Sequence, residues 1–269
     1  MRVNGEHNFV LEIHEYFNLD DLRNLDFSQL DLTGVALEDI PDEVALSLSS
    51  SFGIDPKLIK TIPIPVENVC PKFTSSLTAA PEGMMDYFFF KYTHLDSDSG
   101  KPNDRTKDLV LMEAKTCEVL MKNPHPNIAK YWGCYVLDGR IRALCFANYP
   151  MTLQQRKETG VPLDTERCLK GIRDGIVHMH GLGLIHNDIN TCNIMMDLSD
   201  NPVIIDFDSC THKGKKALKG GTRNWCIEDA ETGSPENDFY GLKKLEEYLS
   251  KPMEEEVVDW HEDVEGGVY

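Results

Sequence analysis

Positions that a helix would turn to one side recur in two long windows of the chain, and short apolar runs bounded by polar turns fill the space around them. From Leu109 to Lys122, positions Leu109, Met112, Thr116 and Leu120 fall near helical spacing, and Val110, Cys117 and Val119 widen the face, which predicts a helix. From Asp164 to His180, Cys168, Leu169, Ile172, Ile176 and Met179 repeat the pattern, with Asp164 or Thr165 as N-cap and Gly181-Leu182-Gly183 as the stop. A further helix is predicted from Asp238 to Leu249. Strand signals lie in the aromatic run MMDYFFFKYT and in YWGCYV and IRALCFANY, the latter two joined by the turn Leu137-Asp138-Gly139-Arg140. NIMMDL and PVIIDF flank the turn Ser199-Asp200-Asn201 and read as a second hairpin.

The first seventy residues behave differently. They are acidic, with short apolar pieces such as FVLEI, LRNLDFSQL and LIKTIPIPV, and Pro41, Pro56, Pro63 and Pro65 interrupt any long helix. The small-residue stretch Thr74 to Gly83 that follows reads as a boundary or exposed loop. The residues after Leu249 read as a charged, frayed tail.

At 269 residues the chain can bury a substantial core, and its formal charge of -18 argues against nucleic acid or an anionic membrane as main partner. A phosphate site in so acidic a chain has to be local. The N-terminus carries no secretory pattern and no apolar run reaches spanning length, so a soluble intracellular protein is expected, cytoplasmic with the nucleus left open. The eight cysteines form no C-x-x-C pair and sit mostly in apolar segments, which predicts buried thiols in a reducing compartment.

Candidate chemistry concentrates in LIHNDINTCNIMMDLSDNPVIIDFDSC, from Leu184 to Cys210. Asp188 and Asn193 share a loop, and Asp206 follows an apolar strand that would bring it back alongside. Two oxygen ligands on adjacent strand ends suit Mg²⁺, which takes a few protein oxygens and completes its shell with water and phosphates. A separate carboxylate can then orient a nucleophile. The bland alternative is a hairpin with polar turns.

HNDINTCN followed by DFD resembles the protein-kinase catalytic loop and metal-binding turn, H-R-D-L-x-x-x-N and D-F-G. Other pieces stand in kinase order: FFFK ending at Lys91, EAKTCEVL with Glu113, NPHPNIAKYWG, the hinge-like CFANY, GGTRNW and ENDFYGLKKL. The resemblance covers approximately residues 73–249 and is most like the small, divergent protein-kinase-like proteins of filamentous fungi. It implies an α+β bilobal protein-kinase-like fold: a β-rich small lobe and hinge over 73–149, then a shortened, mainly helical large lobe over 150–269, behind an acidic segment 1–72. It also implies ATP and Mg²⁺ as cofactors. Lys91 would hold phosphates, with Glu113 keeping it extended, although Glu118 competes for that role. Phe146 would be gatekeeper, Ala147 to Tyr149 would contact adenine, Asn193 and Asp206 would bind metal, and Asp188 would take or orient the hydroxyl proton. His186 would be structural, and Asp238 would brace the loop's backbone.

Four departures accompany the resemblance. No G-x-G-x-x-G precedes Lys91, only Pro81-Glu82-Gly83. Asn187 replaces the Arg that pairs with a phosphorylated activation loop, Asp208 replaces the Gly of D-F-G, and Asn190 stands where serine/threonine kinases carry Lys. Asp208 is expected to be a further metal ligand or a salt-bridged spectator, and the basic run His212 to Gly221 a solvated activation loop. Transfer to a protein Ser or Thr hydroxyl is the leading expectation. A small-molecule kinase similar to aminoglycoside or choline phosphotransferases is the second, and a pseudokinase scaffold the third.

Overall fold

The computed structural model describes residues 2–3, 7–13, 59–63, 66–92, 104–227 and 232–251. Near the start, β1 (Arg2–Val3) pairs antiparallel with β2 (His7–Ile13), and β2 pairs antiparallel with β3 (Ile59–Pro63), Val10 opposite Ile62. FVLEI and LIKTIPIPV thus supply strands, while LRNLDFSQL and the tail after residue 251 lie outside the described residues.

A single-turn helix, α1 (Val66–Val69), leads into the stretch expected to be a boundary loop. Much of its surface is exposed, yet it is tied to the fold: Lys72 bridges Arg140, Ala79 bridges Cys134, and Leu77 is buried in the main core. A 3₁₀ turn, Glu82–Tyr87, then replaces the first half of the expected aromatic strand, so that β4 is only Phe88–Tyr92. The aromatic run promises a strand throughout, but the paired partner decides where one forms: β4 registers with the next strands only from Phe88 opposite Ala147 onward.

Helix α2 (Asp104–Lys122) contains the predicted helix and begins five residues earlier. Asn123 Nδ2 donates to Val119 O at 2.9 Å at its end, and Pro124 and Pro126 prevent continuation. Its buried face carries Ala114, Cys117 and Leu120 together with Glu113, Thr116 and Glu118, so the apolar stripe alone understates what the helix buries. The hairpin of β5 (Tyr131–Leu137) and β6 (Arg140–Ala147) closes as predicted through Asp138 and Gly139, both at positive φ (51° and 68°), the geometry a two-residue turn needs to match strand twist. The small-lobe sheet has the order β4-β6-β5, with Lys91 opposite Leu144. Among the described residues no strand pairs with the other edge of β4.

After the hinge, β7 (Met151–Thr152) leads into α3 (Leu153–Glu158), started by a capping box between Thr152 and Gln155. Helix α4 (Thr165–Gly181) is capped by Asp164, whose side chain accepts from Arg167 N at 3.0 Å, and buries Cys168, Ile172, Ile176 and Met179 as its periodicity predicts. The short strands β8 (Leu184–Ile185), β9 (Ile194–Met196), β10 (Pro202–Ile204) and β11 (Thr211–His212) follow, paired as β10-β9-β7 and β11-β8. Helix α5 (Pro235–Ser250) starts with Pro235 in its first turn, where the missing N–H leaves no bond unmade.

One hydrophobic core runs through both lobes, from Leu77, Cys117 and Phe146 to Phe207, Ile172 and Leu245. The lobes and the site between them therefore share packing, consistent with the α+β kinase-like fold that the motifs imply. All eight cysteines are free thiols, six of them buried, one partly buried and Cys192 exposed. Among the described residues no helix is long and apolar enough to cross a membrane.

Candidate active site

The β9–β10 hairpin sets the site's spacing. Ile194 pairs with Ile204, and Ile205 N donates to Asn193 O at 3.0 Å, so Asn193 and Asp206 emerge side by side from neighbouring strand ends. The turn that returns the chain places Asp200 at φ 61°, a conformation Asp tolerates better than most residues. Arg156 of α3 holds the Asp200 carboxylate through Nε at 2.8 Å and Nη2 at 2.7 Å.

Asp188 is held by three donors. Its Oδ1 accepts from Asn190 Nδ2 at 3.0 Å and from Thr222 N at 2.7 Å, and its Oδ2 accepts from Asn193 Nδ2 at 2.9 Å. Asn193 Nδ2 also donates to Asp188 O at 2.9 Å, which turns its amide oxygen away from Asp188. Asn190 Nδ2 lies 3.2 Å from Thr222 Oγ1, so the residue standing at the usual lysine position links the catalytic loop to GGTRNW.

The loop's framework is built from buried polar groups. His186 is wholly buried; its Nδ1 accepts from Asp188 N at 3.2 Å, which puts the proton on Nε2, and Nε2 donates to Ile205 O at 2.9 Å. Asp238 of α5, also wholly buried, accepts from His186 N at 2.9 Å, from Asn187 N at 2.7 Å and from His180 Nε2 at 2.8 Å. It braces the loop's backbone as the resemblance implies. Asn187, at φ 66°, donates through Nδ2 to Ser209 O at 2.9 Å and accepts at Oδ1 from Asn237 Nδ2 at 2.9 Å. The amide that replaces arginine thus ties the loop to both the activation segment and α5.

Close packing makes one glycine of α5 indispensable. A Cβ on Gly241 would lie 2.5 Å from Ile189 O and 2.8 Å from Ile189 Cβ, inside the catalytic loop. Gly241→Ala is expected to cost about 1–3 kcal/mol through overpacking. Urea unfolding would measure the loss, and an unchanged midpoint would show that the loop yields freely.

Across the cleft, Lys91 Nζ lies 2.6 Å from Glu113 Oε1 and 2.5 Å from Asp206 Oδ1. Glu113 Oε1 also accepts from Phe207 N at 3.1 Å, so α2, β4 and the metal-turn segment meet at one carboxylate. Burial works against the Lys91 charge more than any single neighbour, yet Glu113, Asp206 and Asp208 together outweigh it and raise its pKa. Burial pushes the Glu113 carboxyl up, with Lys91 offsetting part of the rise. Burial also acts on Asp206, but attraction and hydrogen bonding from Lys91, aided by Lys219, hold it below the usual carboxylate range.

Asp208 is engaged by two lysines. Its Oδ2 accepts from Lys219 Nζ of the activation segment at 2.7 Å and stands 4.0 Å from Lys91 Nζ. The positive φ of this turn falls on Asp206 (64°), and Asp208 is not among the residues with positive φ, so replacing the family glycine carries no left-handed strain here. The basic run is largely solvated, as expected, and Lys219 is exposed with it, but its ammonium is engaged by Asp208, and nothing in the residue pattern singles it out among its lysine neighbours.

A cavity of about 360 Å³ opens between the lobes, lined by Phe89, Lys91, Phe146, Tyr149, Asn193 and Asp206, with Ala147 and Asn148 on the hinge side. It brings the expected adenine residues and the expected phosphate and metal residues to one space. Ala147 N donates to Lys130 O at 2.9 Å, so this hinge amide is already engaged within the sheet. Tyr149 is steadied by Lys130 N, which donates to its hydroxyl at 3.2 Å. Glu118, the rival for the Lys91 partnership, faces Thr78 instead.

The protein kinase domain family model matches residues 86–230, more than half of the chain. The chain belongs to the protein kinase family. The chain is 24% identical over 149 residues to serine/threonine-protein kinase TAO3 of Xenopus laevis, covering 54% of this chain and 16% of that protein. It is 28% identical over 154 residues to serine/threonine-protein kinase Tao of Drosophila melanogaster, covering 54% and 14%. It is 32% identical over 137 residues to cysteine-rich receptor-like protein kinase 22 of Arabidopsis thaliana, covering 46% and 20%. The chain therefore spans no more than about a fifth of these relatives' length. The matched span holds every site residue named above except Asp238, Asn237 and Gly241 of α5 and Thr78.

Proposed function

We propose that the chain transfers the γ-phosphoryl group of Mg-ATP to a hydroxyl, with a protein Ser or Thr as acceptor. The observation that carries this reading is the convergence of Lys91, Asn193 and Asp206 on one interlobe cavity, with Glu113 bonded to Lys91 and Asp188 bonded to Asn193 just behind it. The residues fit the cofactor. Asp206 keeps its charge, the free amide oxygen of Asn193 stands beside it, and a cavity large enough for a nucleotide has a cation, Lys91, where phosphates would lie.

In this reading Asp206 and Asn193 would hold a magnesium ion, whose charge would offset that developing on the phosphates. Lys91 leaves its contact with Asp206 to bind phosphate oxygens, and Glu113 keeps it extended. Asp188, with both oxygens fixed by hydrogen bonds, accepts or orients the acceptor hydroxyl's proton. Catalysis consists of positioning and charge neutralisation, with little covalent work by the protein. His186 touches none of the reacting groups and serves the loop's shape. Lys219's hold on Asp208, together with the bond from Thr222 N to Asp188, supports a protein acceptor over a small metabolite, because the two dock the activation segment beside Asp188 and leave Asp208 engaged. The small-lobe and large-lobe limits, 73–149 and 150–269, are kept as part of the proposal, with 1–72 as a separate segment.

A thermal-shift titration with Mg-ATP tests the reading. Nucleotide at about 100 times its Kd should stabilise the protein by about 2.7 kcal/mol, and Asp206→Asn should remove most of that gain. No shift at millimolar Mg-ATP would sink the phosphotransferase reading. If the shift appears, ADP release on generic protein substrates and on hydroxylated metabolites separates the two acceptor classes.

A further inference from the structure

Residues 71–80 precede the span that matches the kinase family, yet they bind both the outer edge of the small-lobe sheet and the helix that carries Glu113. Along the β5–β6 hairpin, Ile141 N donates to Pro71 O at 2.9 Å and Phe73 N to Gly139 O at 2.9 Å. Farther on, Cys134 N donates to Thr78 O at 2.7 Å and Ala80 N to Cys134 O at 2.9 Å, so the segment runs parallel to β5. The approach is close enough to require Gly133: at φ 122° its Cβ would stand 2.7 Å from Ala80 N and 2.8 Å from Thr78 O.

From this edge Thr78 reaches α2. Thr78 N donates to Glu118 Oε1 at 2.6 Å and Thr78 Oγ1 donates to Glu118 Oε2 at 3.0 Å. Glu118 is 6% exposed, so its carboxylate depends on these donors for the hydration it has lost. Glu113 and Glu118 lie five positions apart on one helix, which separates them by about 140° around its axis and about 7.5 Å along it. One is bonded to Lys91 and Phe207 N, the other to Thr78. Rotation of α2 about its axis, or its withdrawal from the sheet, breaks one set of bonds or the other.

We infer that residues 71–80 are a built-in clamp on α2, and that Glu118, held by Thr78, is a positioning residue that keeps Glu113 facing Lys91. Neither Thr78 nor Glu118 lines the interlobe cavity. The clamp's effect on phosphate binding rests on the phosphotransferase reading; its effect on the helix does not.

Thr78→Ala removes the hydroxyl bond and leaves the backbone bond, Thr78→Ser restores both, and Glu118→Gln removes the charge at nearly constant shape. Hydrogen exchange on the full chain without nucleotide reads the Phe207 amide, which is bonded to Glu113 and lies more than a hundred residues from Thr78 in sequence. The clamp requires exchange at Phe207 to rise about tenfold in Thr78→Ala and Glu118→Gln, to stay at the wild-type rate in Thr78→Ser, and to show no further rise when either change is added to Glu113→Gln. Unchanged Phe207 exchange in folded Thr78→Ala and Glu118→Gln, or equal increments with and without Glu113, would overturn it. Mg-ATP titration of the same proteins adds a second reading: weaker binding in Thr78→Ala but not Thr78→Ser supports the clamp. Failure of the wild type to bind Mg-ATP would count against the phosphotransferase reading alone, since the exchange result still decides the clamp.

Discussion

Replacing Asp188 by Asn should lower phosphoryl transfer by about 10²–10⁴-fold, the usual contribution of a positioned acid–base group, with a much smaller loss of Mg-ATP affinity. The expectation comes from the bonding of its two oxygens. Both are pure acceptors, one taking Asn190 Nδ2 and Thr222 N, the other Asn193 Nδ2. An amide has one acceptor end and one donor end, so Asp188→Asn must turn an N–H toward a neighbour's N–H whichever way it is flipped. The variant loses the basic oxygen and also unpins either the activation segment at Thr222 or the amide of Asn193. ADP release measured beside nucleotide binding distinguishes these effects. A variant that retains transfer at near wild-type rate would remove Asp188 from the mechanism.

The largest stability effect should follow Asp238→Ala. The carboxylate lies fully buried beneath the catalytic loop and accepts two backbone N–H groups as well as His180. Truncation leaves the N–H groups of His186 and Asn187 without partners in a site that water does not reach. Each buried orphan costs about 1–3 kcal/mol, so a total loss of about 2–5 kcal/mol is expected, together with loosening of the loop between His186 and Asn193. Denaturant unfolding gives the stability, and hydrogen exchange at His186 and Asn187 localises it. A loss below about 1 kcal/mol would mean that water or a shifted side chain replaces the carboxylate.

Local rules carried much of the fold. Asp138-Gly139 can close a two-residue hairpin because both residues tolerate positive φ, and the α4 periodicity is strong enough that burial follows it residue by residue. The catalytic loop was legible for another reason: His186, Asp188, Asn193 and Asp206 recur at spacings set by a loop and a hairpin, and the hairpin's register brings the last two together. What stayed hidden depends on partners distant in the chain. Glu113 and Glu118 are equally plausible on a helix, and only the placement of Lys91 and Thr78 distinguishes them. Residues 71–80 pair through one antiparallel and one parallel isolated bridge, which impose no repeating pattern on side chains, so the stretch from Thr74 onward reads as a loop. Lys219 resembles its lysine neighbours until the activation segment folds back onto Asp208. The start of β4 was misplaced because aromatic content marks a tendency to be a strand, whereas the edge of β6 decides its length.

The amide at Asn187 reaches beyond geometry. Together with Thr222 and Lys219 it fastens the activation segment by groups that ribosomal synthesis already provides: Asn187 Nδ2 to Ser209 O, Thr222 N to Asp188 and Lys219 to Asp208. None of these ties awaits an added phosphate, and the arginine that would receive one is absent. An enzyme of the proposed kind would need no added phosphate to set these ties. Its output would follow how much of it is made, where it is kept and which acceptors it meets.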